Sequence, residues 1–295
     1  MTGQWTVLAS GSSGNASLLE WNGQGLLLDI GLGPRQFDRR LAEIGSSWNT
    51  IRGVVLTHTH SDHWNARTLA RLVASRVPFF CHGEHLRPLQ LGCREFQDLQ
   101  FAGLVKTYHS GSEFVPVPGV RCRALALKHD GGPTFGFRIE EEAQATVPRW
   151  AVGYAADLGS WDERLAQALA DVDVLAIEFN HDVQMQLASR RARWLINRVL
   201  GEFGHLSNDQ GVKLLEECVR RSSAGRLQHL VQLHLSRECN RPALAISAAS
   251  ELISRLGLKI ELHTAAQDEP GRSIALRFDG TEESGRRPAF VNRLF

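Results

Sequence analysis

The stretch Thr57-His58-Thr59-His60-Ser61-Asp62-His63 constrains this chain more than any other. It follows the apolar run Val54-Val55-Leu56, which reads as a short buried strand. Three imidazoles and a carboxylate are crowded into one loop. Neutral imidazole is a strong ligand for divalent transition ions, and a carboxylate beside it adds a hard oxygen donor. His58 and His60 alternate along the chain and can reach one ion, while Asp62 and His63 can reach a second one beside it.

Such a loop needs partners from elsewhere, and the chain offers them where strands end. His129 closes the apolar stretch that starts at Ala124, Asp157 follows the run from Trp150 to Ala156, and His234 follows Leu230 to Leu233. Open α/β sheets place their ligands at strand ends of this kind. The composition is that of an ordinary globular protein, 43% hydrophobic and 22% charged over 295 residues. A net charge of +1 argues against a surface that coats nucleic acid uniformly, while leaving room for a local basic groove. The five cysteines show no CxxC spacing, which reads as reduced thiols. No apolar run has the length of a membrane span, and no secretory signal opens the chain. The expectation is a cytoplasmic protein with no membrane partner.

Strands are expected at 6–10, 17–21, 25–30, 54–57 and 77–81, with a hairpin turn at Asn22-Gly23. Strand-like patterning returns over 105–140, at 150–156, 172–179, 227–235 and 259–263. Helical spacing predicts helices over 34–44, 64–75, 162–170, 182–200, 208–222 and 243–256. Strands followed by helices, twice over, fit an α/β fold of two sheets packed face to face with helices outside, a four-layer αβ/βα sandwich. The expectation is a single domain over 1–295, with two pseudo-repeated halves meeting near 140–150 and a loose tail at 280–295.

With its later His129, Asp157 and His234, the H-x-H-x-D-H signature resembles the metallo-β-lactamase fold superfamily. The resemblance covers about residues 5 to 262. Finer motifs are Ala9–Asn15 (ASGSSGN), Leu28–Leu32 (LDIGL), Glu178–Asp182 (EFNHD), Gly204–Asn208 (GHLSN), and His234–Ser236 (HLS) with Asn240. They look like the YycJ/WalJ branch, related to PhnP-like phosphodiesterases and more distantly to ribonuclease Z. This resemblance implies a site for two divalent metal ions, Zn²⁺ or Mn²⁺. His58, His60 and His129 would hold the first, Asp62, His63 and His234 the second, and Asp157 would bridge them. Ions about 3.5–4 Å apart can clamp a phosphodiester and lower the pKa of a bridging water, so that hydroxide attacks phosphorus. Asp62 can also orient that water.

The signature is shared by lactamases, thioesterases, lactonases and nucleases, so other residues must choose the substrate. His205 precedes a helix start, where Ser207 and Gln210 read as a capping box. A histidine there can protonate a leaving alkoxide or donate to a phosphoryl oxygen. The resemblance gives that role to His205, supported by Glu178. It also turns Asn180 and His181 toward the cleft, although Phe179 stands where the branch commonly has a small polar residue. Asn180 and His181 read equally well as a turn with its own hydrogen bond. Ser12 and Asn15, within 10–15, offer contacts to a phosphate or back the metal loop, or equally belong to a plain glycine-rich turn, and Ser207 is expected beside the same cleft. His82 and His85 are expected at a strand–helix junction, and His109, His229 and His263 at surface or packing positions. Arg190, Arg191, Arg193 and Arg198 form either a solvated face or one that steers a polyanion. No basic stripe interleaved with aromatics is apparent.

The reading is a two-metal phosphodiesterase, favouring a nuclease that acts on DNA as an exonuclease. The partner would be nucleic acid, DNA first, or a small phosphodiester. The alternatives are a phosphodiesterase for a small, cyclic phosphate and, with less support, an ester or thioester hydrolase.

Overall fold

Leu26 and Leu28 point to one side of their strand and Leu27 to the other, and each side is buried in a different apolar layer. This alternation is the plan of the whole molecule. The computed structural model describes residues 3–142 and 147–276. The expected tail at 280–295 lies outside the described residues, as do positions 143–146 of the expected junction.

The chain opens with β1 (Gly3–Ala9), β2 (Ala16–Trp21), β3 (Gln24–Leu28), β4 (Ile51–Val55), β5 (Phe79–His82) and β6 (Val105–Tyr108). Between them come α1 (Pro34–Glu43), α2 (Ala66–Ser75), α3 (Leu86–Gly92) and α4 (Arg94–Phe101). A second series follows: β7 (Glu113–Val117), β8 (Val120–Leu127), β9 (Thr134–Glu141), β10 (Ala151–Ala155), β11 (Val174–Glu178), β12 (His229–Leu233) and β13 (Glu261–Thr264). Its helices are α5 (Glu163–Ala168), α6 (Val183–Ala188), α7 (Arg193–Leu200), α8 (Asn208–Arg220) and α9 (Pro242–Arg255). The strand β14 (Ile274–Leu276) returns to pair with β1. The two sheets have the orders β14-β1-β2-β3-β4-β5-β6 and β13-β12-β11-β10-β9-β8-β7.

Trp5, Trp21, Phe137, Trp150 and Tyr154 fill the space between the sheets. The Trp21 and Trp150 rings lie 5.0 Å apart, centre to centre. Phe37, Leu69 and Phe96 pack helices on the outer face of the first sheet, and Leu165, Leu214 and Leu252 do so on the second. These layers make the expected four-layer sandwich. The hairpin turns where the sequence places it, with φ of 49° at Asn22 and 76° at Gly23, as a two-residue turn with both central residues left-handed requires.

Some elements differ from those the sequence predicts. The helix expected over 182–200 is two helices, α6 and α7. The Ser189 hydroxyl donates to the Gln186 carbonyl at 2.8 Å, and Arg191 reaches away to Glu238 at 2.8 Å. One local bond and one to a residue distant in sequence thus mark the end of the first helix before the next begins. Helices α3 and α4 and strand β14 have no counterpart among the expected elements; α3 and α4 are short, and β14 has three residues. The chain passes from one sheet to the other between Tyr108 and Glu113.

Strands β3 to β6 run parallel, as do β10 to β13. Their carboxyl ends deliver Asp29, the 57–63 loop, Asp157, Glu178 and His234 to one edge of the sandwich.

Candidate active site

Parallel strands that stop at one edge leave their next residues free to turn into the cleft between the sheets. Three of those residues turn sharply. Asp29, Asp157 and His234 have φ of 61°, 58° and 56°, a left-handed backbone that non-glycine residues seldom adopt. A conformation costing of order 1–3 kcal/mol persists only where its surroundings hold it, and such residues cluster at working sites.

The donors come together in overlapping groups. His58, His60 and His129 form one, His58, His63 and Asp157 a second, and Asp157, Glu178, His205 and His234 a third. His129 Nε2 and His60 Nδ1 are 3.3 Å apart. Two donors on one tetrahedral ion with bonds of about 2.0–2.1 Å stand about 3.3 Å apart. The Asp62 carboxylate links His63 Nε2 at 3.7 Å and His234 Nε2 at 3.8 Å. Asp157 reaches His63 Nε2 at 3.1 Å with one oxygen and His234 Nδ1 at 3.3 Å with the other. It therefore lies between the donor groups, the place expected of a bridging carboxylate.

Hydrogen bonding tests whether this set suits a cation. His58 Nε2, His234 Nε2 and Asp157 Oδ2 are buried, and none has a hydrogen-bond partner among the described residues. The 3.1 Å contact between Asp157 Oδ2 and His63 Nε2 is close but lacks hydrogen-bond alignment. Buried polar atoms left unpaired cost about 1–3 kcal/mol each. A divalent ion coordinated by nitrogen and oxygen would satisfy all of them, so the residues fit such an ion.

A further row of side chains aims the donors. Asp29 lies 2.7 Å from His63 Nδ1 and accepts from the Thr57 amide at 2.8 Å. A carboxylate on the far nitrogen of a ligating histidine fixes its tautomer and orientation. His129 Nδ1 lies 2.9 Å from the Gly204 carbonyl, another contact of this kind. A β-carbon on Gly131 would come within 2.6 Å of the His58 ring and 3.0 Å of His60, so only glycine lets that loop close over them. On the other side a β-carbon on Gly31 would strike the Asp62 carbonyl at 1.8 Å. Asp29 belongs to the LDIGL motif, but the sequence alone assigns it no role. Its one signal there is an acidic residue ending an apolar strand.

Charges in the cluster push one another. Burial alone would lower His234 and raise Asp157, yet the carboxylates around His234 lift it to about 10, and His234 and His63 hold Asp157 well below the usual carboxylate range. Burial opposes protonation of His63 too, but Asp29 and Asp157 raise it well above an ordinary imidazole. Burial leads the downward shifts of His58 and His60.

His205 and Glu178 pair at the edge of the cluster, where Glu178 Oε1 also lies 3.0 Å from His234 Nδ1. His205 Nδ1 is 2.7 Å from Glu178 Oε1, and Glu178 Oε2 accepts from the Leu158 and Leu206 amides at 3.1 Å. Burial would raise Glu178, but His205, then His234, pull it down to about 2. An ionised carboxylate can only accept, so the His205 Nδ1–H donates to it and Nε2 is left on the partly exposed side. Ser207 caps α8 through its hydroxyl, which accepts from the Gln210 amide at 3.2 Å.

The other expected residues take distinct places. Ser12, Asn180 and His205 share a cleft of about 380 Å³ with Arg191, Arg198 and Ser236. Asn180 donates to the His234 carbonyl at 2.8 Å. Asn15 is buried behind the ligand loop, its amide 3.2 Å from Asp62 and 3.0 Å from His63. His181 is buried, and neither ring nitrogen has a hydrogen-bond partner among the described residues. His82 ends β5, and His85 lies 2.7 Å from the Pro133 carbonyl. His229 and His263, with Glu261, make a smaller group on β12 and β13. There Nδ1 of one ring lies 3.2 Å from Nε2 of the other, and Arg272 pairs with Glu261 at 2.9 Å.

Two facing sheets with histidines and carboxylates gathered at their carboxyl ends define the metallo-β-lactamase fold. The chain matches the Beta-lactamase superfamily domain over residues 25–224 and belongs to that family. It is 28% identical to exodeoxyribonuclease WalJ of Streptococcus pneumoniae over 247 residues, 82% of this chain and 85% of the relative. It is 24% identical to exodeoxyribonuclease YycJ of Bacillus anthracis over 262 residues, 87% and 91% of the two chains. Among solved structures, the metallo-β-lactamase fold protein YhfI of Bacillus subtilis aligns with a TM-score of 0.66 at 14% identity, covering 93% of this chain and all of that one. The short form of human tRNase Z aligns at 0.60 and 17% identity over 93% of this chain and all of that one. A diphosphatase of the PhnP family aligns at 0.60 and 15% identity, covering 93% and 98%. No helix among the described residues is long and apolar enough to cross a membrane.

Two measurements probe the site directly. Asp29→Asn keeps the shape beside His63 and removes the charge, and it should weaken binding of Zn²⁺ or Mn²⁺ about 10- to 100-fold by calorimetry. Unchanged affinity would remove Asp29 from the ligand support. A metal held by His63 and His234 would have to displace protons from them, since their neighbouring carboxylates favour the protonated rings without it. Apparent affinity should therefore rise with pH up to about 10, the His234 value, with protons released into weak buffer. Binding without proton release would contradict this.

Proposed function

We propose that the chain is a phosphodiesterase dependent on two divalent metal ions and that its substrate is DNA, degraded from an end. His58, His60 and His129 would hold one ion, Asp62, His63 and His234 the other, with Asp157 between them. Bound there, the ions would supply Lewis-acid charge for the phosphoryl oxygens and lower the pKa of a water. The nitrogen and oxygen donors suit Zn²⁺ or Mn²⁺.

The observation that carries the reading is the His205–Glu178 pair at 2.7 Å, beside the donor groups and on the wall of the cleft. Hydrolysis of a phosphodiester expels an alkoxide, which needs a proton or a strong donor. Glu178 holds Nδ1 and directs Nε2 outward, where it can donate to the leaving oxygen. Thioester hydrolysis has less need of such a donor, since a thiolate leaves more readily than an alkoxide. The oxygen of Asp62 that does not reach His63 and His234 can orient the attacking water. Ser12 and Asn180, on the same cleft, would contact the phosphate, while Asn15 would support the ligand loop and Ser207 the helix start. His181 would complete the wall behind Asn180. The exodeoxyribonuclease names of the two sequence relatives support DNA as the polymer, and the PhnP-family diphosphatase keeps a small phosphodiester as the second reading.

The test is degradation of end-labelled duplex DNA, single-stranded DNA and RNA with Mn²⁺ or Zn²⁺, using Asp62→Ala as control. Cleavage of DNA that is lost in Asp62→Ala is expected, and the product ladder gives the polarity. Turnover of a simple phosphodiester with no cleavage of any polymer would favour the small-substrate reading. His205→Ala should keep its metal and lose about 10²- to 10⁴-fold in rate on DNA, with much less loss on a nitrophenyl phosphodiester, whose leaving group needs no proton. Equal losses on both would assign His205 to binding.

A further inference from the structure

The segment that lines the cleft beside His205 carries features the hydrolysis itself does not use. Residues 183–201 contain four arginines and no acidic residue. Within and just after them, two large aromatic side chains face solvent: Trp194 is 67% exposed and Phe203 53%. Interleaved arginine and aromatic residues are thus present here, although each is too widely spaced for the sequence alone to mark a stripe.

The structure draws these residues around one ion pair at the mouth of the cleft. Arg198 clamps Asp130 with two guanidinium nitrogens, one of them at 2.9 Å. The Asp130 carboxylate lies 3.7 Å from His129 Nε2 and 4.0 Å from His60 Nε2, which ties the pair to the donor cluster. Trp194 is one helical turn before Arg198 on α7, so the two side chains are surface neighbours. Phe203 is tied to the same pair by its backbone, where its carbonyl accepts from the Asp130 amide at 3.0 Å. Arg191 is engaged by Glu238 at 2.8 Å, whereas exposed Arg190 and Arg193 have no ion pair among the described residues.

We propose that Trp194 and Phe203, flanking the Arg198–Asp130 pair, are a stacking rim for the unpaired bases of a single-stranded DNA end, with Arg190 and Arg193 neutralising its phosphates. Aromatic faces stack any base, and cations beside them track the backbone; together they hold single strands without reading sequence. Duplex DNA hides its base faces and cannot use such a rim. The net charge of +1 fits this arrangement, since the attraction is local to one stretch rather than spread over the surface. The inference rests on the nuclease reading and specifies the state of the polymer that enters the cleft.

The experiment compares kcat/KM on a single-stranded oligodeoxynucleotide with kcat/KM on bis(p-nitrophenyl) phosphate, in the metal-loaded enzyme. W194A and F203A should each lower the ratio about tenfold, through KM on the oligonucleotide rather than kcat. W194F should restore most of it, because a phenyl ring still stacks. R190A/R193A should flatten the salt dependence of oligonucleotide binding by about 1.4 in log–log slope. A ratio unchanged in both aromatic variants overturns the rim, as does an equal loss on both substrates that W194F fails to rescue. So does a dimer that these variants dissociate while KM for DNA stays constant. Wild-type enzyme that cleaves no polymer overturns the nuclease reading together with the rim, which separates that failure from failure of the rim alone.

Discussion

Much of this structure depends on how it keeps a carboxylate ionised where water is excluded. Asp157 is buried, turned into a left-handed backbone, and placed between His63 and His234 at 3.1 and 3.3 Å. An isolated carboxylate there would take up a proton, because burial disfavours its charge. Neighbouring imidazoles reverse that preference. The same balance recurs at Glu178, which two imidazoles and two backbone amides hold as an anion. Charges paired this closely fix each other's orientation, and a site built from them arrives at its substrate already organised.

The fold supplies the positions and the loops supply the chemistry. Two sheets pack their inner faces around Trp21, Phe137 and Trp150, so the carboxyl ends of both parallel sets meet along one edge. Rigid strands bring Asp29, Asp157, Glu178 and His234 to that edge. Glycines at 31 and 131 let the backbone approach so closely that any side chain would displace a ligand loop. Polar groups behind the donors, such as Asp29 on His63 and Gly204 on His129, then set which ring nitrogen faces inward. The cleft side of His205 is the boundary between this buried network and the surface a substrate would meet.

The gathering of His58, His60, His63, His129, Asp157 and His234 was the most legible part of the sequence, because three histidines and an aspartate crowd one loop and the others end apolar strands. The layers were legible from alternating leucines, and the hairpin from Asn22-Gly23. Asp29 was harder, since one acid after a strand is common, and only its contact with His63 reveals its work. The break between α6 and α7 was illegible because it depends on Arg191 reaching Glu238, distant in sequence. The same distance hid the rim. Trp194 and Phe203 are separated along the chain, and it is the Arg198–Asp130 pair and the bond from Asp130 to the Phe203 carbonyl that connect them.

The central claim is that Asp157 joins two metal-binding groups into one phosphodiester-cleaving centre. Elemental analysis of wild-type protein and Asp157→Ala, read beside turnover of a phosphodiester, tests it most directly. The account predicts about two ions per wild-type chain and loss of metal and turnover together in the variant. An Asp157→Ala chain that keeps both its full metal content and its full rate would contradict it.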